Sequence, residues 1–395
     1  MHINKNTFCI HPFASINTAP NANYAPCCMS ERAILQDSGE PYKTGEHTMQ
    51  EVFDSKWMDN LRASLANGIK HVNCVRCWNE EKTGRDSKRI RDSREYLTSA
   101  RQVDKTLTIR MLDLKLGNLC NLKCRICNPW SSSNWIEEWH SVRASTEPKT
   151  EFVKSFAVMR KTWNPDQPIW DSVEKVLPNL EHMNITGGEP LMIENMWNML
   201  QQSVDGGYAP NQSLQYNTNG SVIPTVAQWE LWSHFKEVDV QFSVDDINDR
   251  HHYQRHPSEW KNVKATIEEF KKRSFIKLST NATVSNFNIY YLDEVTDEIM
   301  NNIGTSIWYN ILHGPSELSV AALSPEIKEI LVKKLSHVIE YNPDIEPVLG
   351  LIASAPDPEK IKLFLQRAAE HDAYRNESFE QTFPEWYAIL KQHYL

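Results

Sequence analysis

One octapeptide constrains this chain more than any other stretch. CNLKCRIC, Cys120 to Cys127, sets three cysteines at the spacing Cys-x3-Cys-x2-Cys, with no fourth close behind. All eight cysteines lie in the first 127 of the 395 residues, the other five being Cys9, Cys27, Cys28, Cys74 and Cys77. Inert core cysteines would be scattered along the chain, so the clustering points to metal sites. A four-iron cluster normally takes four thiolates. A loop offering three leaves one iron open, by the logic that leaves a catalytic zinc one open position. The alternative is a zinc ion completed by a distant histidine, although this is not a usual zinc spacing.

Composition sets the surroundings. With 40% hydrophobic and 24% charged residues the chain is ordinary for a soluble globular protein. Its length allows at least one large core and more than one domain. The opening MHINKNTFCIHPFASINTAP has no apolar run of signal-peptide length. No stretch of about twenty apolar residues is present, so no membrane span is expected. The expectation is a cytoplasmic protein, and in that compartment clustered thiols more often bind metal than pair as disulfides. A net charge of -9 argues against a broad nucleic-acid footprint.

Periodicity predicts the fold class. Short apolar or alternating runs at 180–186, 212–217, 238–244, 275–284 and 305–312 read as strands. Helical patterns lie between them. IENMWNMLQQSV places Ile193, Met196, Trp197, Leu200 and Val204 on one face, and WKNVKATIEEFKKR does the same with Val263, Ile267 and Phe270. Strand alternating with helix implies an α/β fold with parallel strands and crossover helices. Such folds place ligands at the carboxyl ends of the strands. Beyond about residue 320 the chain reads as helical, in PEIKEILVKKLSHVIEY, PEKIKLFLQRAAEHDAY and FPEWYAILKQHY.

LDLKLGNLCNLKCRIC resembles the opening of a radical S-adenosylmethionine (SAM) enzyme, a first barrel strand followed by the cluster loop. The resemblance runs on in order through NITGGEP (Asn184 to Pro190), QYNTNG (Gln215 to Gly220), VQFSVDD (Val240 to Asp246), FIKLSTNATVS (Phe275 to Ser285) and SIWYNIL (Ser306 to Leu312). It covers roughly Thr108 to Pro315, and departs where Ile126 replaces a frequent aromatic. It implies a partial (β/α)6 TIM-like barrel in which Cys120, Cys124 and Cys127 hold a [4Fe-4S] cluster. The fourth iron would take the amino and carboxylate groups of SAM. Gly187 and Gly188 would let backbone approach the ligand, and Glu189 would accept from the SAM ammonium. Ser243 and Arg255 match positions that hold the SAM carboxylate or ribose, and Asp245 and Asn217 are further candidates for the ribose. Taken singly, GGEP is a turn signal and Arg255 a solvated charge; their order after the cysteine loop is what links them.

The N-terminal cysteines form a second set. Cys74 and Cys77 make a Cys-x2-Cys knuckle, and Cys9 and Cys27 complete four thiolates. The pattern resembles the Twitch or SPASM modules of radical SAM enzymes, where a Cys-x-x-Pro start and a Pro-Cys strand end contribute ligands to a second, auxiliary [4Fe-4S] cluster. Those modules usually follow the barrel, whereas this one precedes it. A structural zinc is the alternative. Cys27 follows Pro26 and is assigned as ligand. Neighbouring residues of a strand face opposite ways, which leaves Cys28 free. Cys28 then reads as a small buried hydrophobe or as a hydrogen-atom donor to a substrate radical. Between the two pairs, MQEVFDSKWMDNLRASLANG reads as one helix with Gly68 at its C-cap. NEEKTGRDSKRIRDSREY reads as an exposed helix or linker.

Three regions are expected: an auxiliary cluster domain and linker over 1–105, a radical SAM barrel over 106–318 with an insertion at 140–178, and a helical C-terminal extension over 319–395. The insertion could serve as a lid or substrate platform. The implied reaction is reductive cleavage of SAM to a 5'-deoxyadenosyl radical that abstracts hydrogen from substrate. A peptide or protein side chain is the first expectation for that substrate, and a small molecule such as a sugar or nucleotide the second. A non-catalytic iron–sulfur or zinc protein is the third reading. An electron donor such as flavodoxin or ferredoxin would be a partner.

Overall fold

The computed structural model describes residues 4–30, 32–82, 86–98, 107–143, 168–312, 314–351 and 355–395. Most of the expected insertion, 144–167, lies outside them. The chain divides into two units: Met1–Leu119 with Val158–Tyr216 and Pro224–Val238, and Cys120–Ala157 with Asn217–Ile223 and Asp239–Leu395.

The first unit is built on a sheet of strands β1 (Ser15–Thr18), β2 (Tyr24–Ala25), β3 (Met111–Lys115), β4 (His182–Thr186) and the first residues of β5 (Ser213–Thr218). Their order is β2-β1-β3-β4-β5. β1 pairs with β2 antiparallel, and the pairs β1–β3, β3–β4 and β4–β5 are parallel. Alternation divides the residues between two faces. Leu112, Leu114, Met183, Ile185, Leu214 and Tyr216 are buried on one. Helix Glu194–Asp205 presents buried Met196, Trp197, Met199 and Leu200. Trp232 lies 5.2 Å from the Trp197 ring and 5.0 Å from the Tyr216 ring, an aromatic cluster at packing distance. The other face is polar, and its register sets Asn17, Asp113, Asn184 and Gln215 in one row.

β1 and β2 extend the sheet of the later strands, and β1 bonds directly to β3. One expectation changes here. The long helix expected after residue 48 is two, Met49–Phe53 and Lys56–Ala66. Thr48 and Glu51 close a capping box on the first, and Ser55 caps the second by accepting from Met58 N, so the chain restarts at Ser55. Gly68, with φ +83, follows the C-cap Asn67 in the left-handed position. The charged stretch after Cys77 includes the helix Lys88–Thr98, with Arg91 and Arg94 exposed and Arg89 turned inward. Arg89 is buried, grips Glu81 with two hydrogen bonds at 2.8 Å, and donates to Phe8 O at 2.6 Å.

The second unit holds most of β6 (Glu237–Ser243), then β7 (Ile276–Val284) and β8 (Ser306–Ile311), in that order. β7 and β8 are parallel, in register from Ser279↔Ser306 to Val284↔Ile311. Helix Trp260–Lys271 crosses from β6 to β7 with Val263, Ile267 and Phe270 buried, as the periodicity predicts. The C-terminal region is helical over Pro325–Leu335, Pro358–Arg375 and Pro384–Tyr394. Each of these begins with proline, where a missing N–H costs nothing. Phe364 and Phe383 from that region meet Phe287 and Tyr253, with ring centroids 4.8 and 5.2 Å apart. No helix among the described residues is long and apolar enough to cross a membrane.

Candidate metal and cofactor site

The loop Cys120–Cys127 holds its shape through backbone bonds to distant segments. Lys123 N donates to His256 O and Arg125 N to Gln254 O, both at 2.7 Å. Trp135 Nε1 donates to Cys124 O at 2.9 Å, and Ser132 Oγ donates to Leu122 O. Cys120, Leu122 and Cys124 are buried together, with Cys127 packed against them. None of the three forms a disulfide; Cys127 feels the charge of Cys124 and Cys120, and Cys124 that of Cys120. Burial pushes the Cys124 thiol up to about 11 and Cys127 further. The pocket therefore disfavours bare thiolates, and a bound metal would have to release the protons. Asn219 Nδ2 points at Cys120 Sγ at 3.8 Å and donates to Asn121 Oδ1 at 3.0 Å, tying the loop to the turn after β5.

Arg255 faces this loop from the segment after helix Asn248–Gln254. Its guanidinium is buried, and Nη1 donates to Asp245 Oδ2 at 2.6 Å. Burial alone would lower its pKa; Cys124, Asp245 and Cys120 outweigh that and carry it upward, so it stays charged. Its Nε is shut off from solvent without a hydrogen-bond partner. Asp245 is fixed in turn, its Oδ1 accepting from Thr283 N at 2.9 Å. Three thiols, a buried guanidinium beside two of them and a free donor suit an anionic metal–sulfur group with a carboxylate ligand. Asn217 Nδ2 donates to Gln241 Oε1 at 3.2 Å, and Ser243 ends β6 partly exposed.

In the first unit the Gly187–Glu189 turn packs on the end of the β3 segment. A Cβ on Gly188 would stand 2.1 Å from Leu119 O, a contact only glycine permits. Glu189 N donates to Leu119 O at 2.7 Å, and the buried Glu189 carboxylate accepts from Leu191 N at 3.2 Å. The turn is thereby anchored to the residue preceding Cys120.

The N-terminal thiols also converge. Cys9 feels Cys27, Cys74 and Cys77, and Cys74 feels Cys27 and Cys77. Burial raises all four, Cys27 and Cys74 to about 12. Cys28 has different company. Burial raises it well above the ordinary value, and the charges facing it are mainly Asp113 and Lys88. Lys88 pairs with Asp92 at 2.9 Å, and Asp92 with His11 at 2.7 Å.

Sequence reasoning did not find the support behind the cysteine loop. Arg125 stacks 3.9 Å from the Tyr253 ring centroid and pairs with Asp372 at 2.6 Å and Glu377 at 2.5 Å. Glu138, fully buried, takes Lys123 at 2.8 Å, Arg375 at 2.9 Å and His371 at 2.7 Å. These partners are far apart in the chain, so no spacing signals them. Next to them lies a cavity of about 410 Å³, lined among others by Cys127, Trp135, Trp139, Phe287 and Arg367, with Arg367 paired to Glu317.

Residues 114–303 match the family described as the Radical SAM superfamily. No curated protein matches the chain. Among solved structures it is similar to anSMEcpe with bound AdoMet and a peptide, at 17% identity and TM-score 0.41, over 60% of this chain and 62% of that one. It is also similar to Streptococcus suis SuiB bound to the precursor peptide SuiA, at 12% identity and TM-score 0.38, over 71% and 62%. The chain thus spans less than two thirds of the length of either solved protein.

Proposed function

We propose, from the radical SAM superfamily domain that the chain carries at residues 114–303, that it is an enzyme acting on SAM through a [4Fe-4S] cluster at Cys120, Cys124 and Cys127. The observation that carries this reading is the buried Arg255, charged, fixed by Asp245 and turned toward Cys124 and Cys120. The bound cluster and SAM would supply one-electron cleavage to a 5'-deoxyadenosyl radical able to abstract hydrogen from an unreactive carbon.

The chain's own part is positioning. Arg255 would offer its unused donors to the SAM carboxylate, with Asp245 holding it in aim. Asn219 would donate to the Cys120 sulfur. Gly188, packed on Leu119, would fix the turn from which Glu189 meets the SAM ammonium. Ser243, Asp245 and Asn217 are assigned to SAM as the resemblance suggests. The buried loop would keep water from the reacting centre.

Cys9, Cys27, Cys74 and Cys77 are assigned to a second, auxiliary [4Fe-4S] cluster, and Cys28 is left outside it, facing Asp113. The assigned substrate is a peptide or protein side chain, and the electron source a flavodoxin or ferredoxin.

The test is incubation of the anaerobically reconstituted protein with SAM and reductant. Formation of 5'-deoxyadenosine supports the reading, and its absence with both sites loaded overturns it. Deuterium carried from a labelled peptide into 5'-deoxyadenosine would then identify the substrate.

A further inference from the structure

A second kind of ligand set lies behind the cysteine loop. His252, in the last turn of helix Asn248–Gln254, and His256, just past it, converge with Glu377, beyond the end of helix Pro358–Arg375. One ligand atom from each lies within 4.8 Å of the others. His256 Nδ1 is 2.6 Å from Glu377 Oε1, and His252 Nε2 is 3.8 Å from the same oxygen. Glu259 adds a second carboxylate, its Oε1 2.9 Å from His252 Nδ1.

Two features of this group ask for a cation. First, His252 has a carboxylate at each ring nitrogen. A neutral imidazole carries one N–H, so one of its nitrogens turns a lone pair on a carboxylate oxygen. The Nδ1 atom is closed off from solvent and makes no aligned hydrogen bond despite its nearness to Glu259. Second, charge is unbalanced. Glu259, Glu377 and Asp372 are three carboxylates; among the described residues the guanidinium that pairs with them is Arg125, while nearby Arg375 is taken by Glu138. With neutral imidazoles a dication would bring the group to balance.

We propose that His252, His256 and Glu377 bind a divalent transition ion of the zinc class, with Glu259, at the opposite ring nitrogen, as the carboxylate that orients His252. Two imidazoles and carboxylate oxygen suit such an ion, whose tetrahedral ligands stand about 3.3 Å apart. The observed spacings, 2.6 and 3.8 Å, bracket that value. The ion's consequence is mechanical. His256 O and Gln254 O receive the backbone N–H groups of Lys123 and Arg125, and Glu377 holds the Arg125 side chain. An ion joining His252, His256 and Glu377 would lock together the parts on which the cysteine loop rests.

The experiment uses the full chain with its cysteine sites loaded with iron. It is equilibrated with zinc and desalted, and retained metal is measured by mass spectrometry and zinc-edge X-ray absorption. One zinc per chain is expected, with nitrogen and oxygen scatterers at about 2.0–2.1 Å and no sulfur at about 2.3 Å. The double variant His252→Gln, His256→Gln should lose it, and Glu377→Gln should weaken retention tenfold or more. If the double variant does not fold, His252→Gln alone, at a partly exposed position, keeps the test open with the same tenfold loss. Zinc with a sulfur shell, equal retention in the variants, or no retained zinc would each overturn the site. Formation of 5'-deoxyadenosine is read separately, so this outcome does not depend on the proposed SAM chemistry.

Discussion

Arg255 donates from Nη1 to Asp245 Oδ2 at 2.6 Å with both side chains buried, and Asp245 spends its other oxygen on Thr283 N. One oxygen aims the guanidinium, the other anchors the carboxylate to the backbone, and the guanidinium Nε has no hydrogen-bond partner. Arg255→Ala should therefore weaken SAM binding by about 1.5–3 kcal/mol, the range for a charged hydrogen bond. Iron content should hold. Equilibrium dialysis with labelled SAM measures the first and iron assay the second. Unchanged affinity returns Arg255 to a structural ion pair.

Either change strands a buried charge, but Asp245→Ala should cost more in stability than Arg255→Ala, because it also leaves Thr283 N without its acceptor. Breaking such a pair from one side costs about 3–5 kcal/mol. The midpoint of urea unfolding for the two variants settles the order.

For the cysteines, reconstitution should give about eight irons per chain if both sets hold four-iron clusters. Changing Cys120, Cys124 and Cys127 to Ala should remove about half. Cys27→Ala should abolish the N-terminal cluster's absorbance, while Cys28→Ala, at a thiol facing Asp113 and Lys88, should spare it. Zinc in the N-terminal set sinks the two-cluster assignment. If Cys28→Ala spares both clusters and SAM cleavage yet blocks product, Cys28 is the hydrogen donor.

Gly188→Ala forces a Cβ to within 2.1 Å of Leu119 O unless backbone moves. Overpacking of this kind costs about 1–3 kcal/mol. The displaced turn carries Glu189, so SAM affinity should fall along with the melting temperature. Gly45→Ala, at a position without a positive φ where a Cβ meets nothing within 4 Å, serves as the control for SAM affinity.

Acid should act through Glu138. Burial alone would raise its pKa, but His371, Arg375 and Lys123 overcome this and hold it down at about 2. The folded value lies below the ordinary 4.5, so its stabilising contribution is whole above that pH and disappears as pH falls toward 2. The contribution is on the order of 2–3 kcal/mol. Glu138→Gln should flatten the acid side of the stability curve, followed by tryptophan fluorescence. An unchanged curve assigns acid sensitivity elsewhere.

What the sequence revealed and what it hid follow from range. Strand positions such as 182–186 and 306–311 show in alternation because both faces of those strands meet steady surroundings. β1 and β2 are four and two residues long, and SINT is buried throughout, so no alternation marks them. The break at Asp54–Ser55 turns on one cap, which a pattern of apolar residues does not register. Resemblance singled out Arg255 but gave no hint of its pairing with Asp245. The Glu138 web was not, because Lys123 and Arg375 meet only when the C-terminal helix folds back on the loop.

The backbone ties at Lys123 and Arg125 bear on how the protein matures. They join the loop to Gln254 and His256 using only groups of the chain itself. The loop's shape thus depends on a segment far along the chain. Substitutions that shift Gln254 or His256 would then alter iron uptake by the proposed site without touching any of its three cysteines.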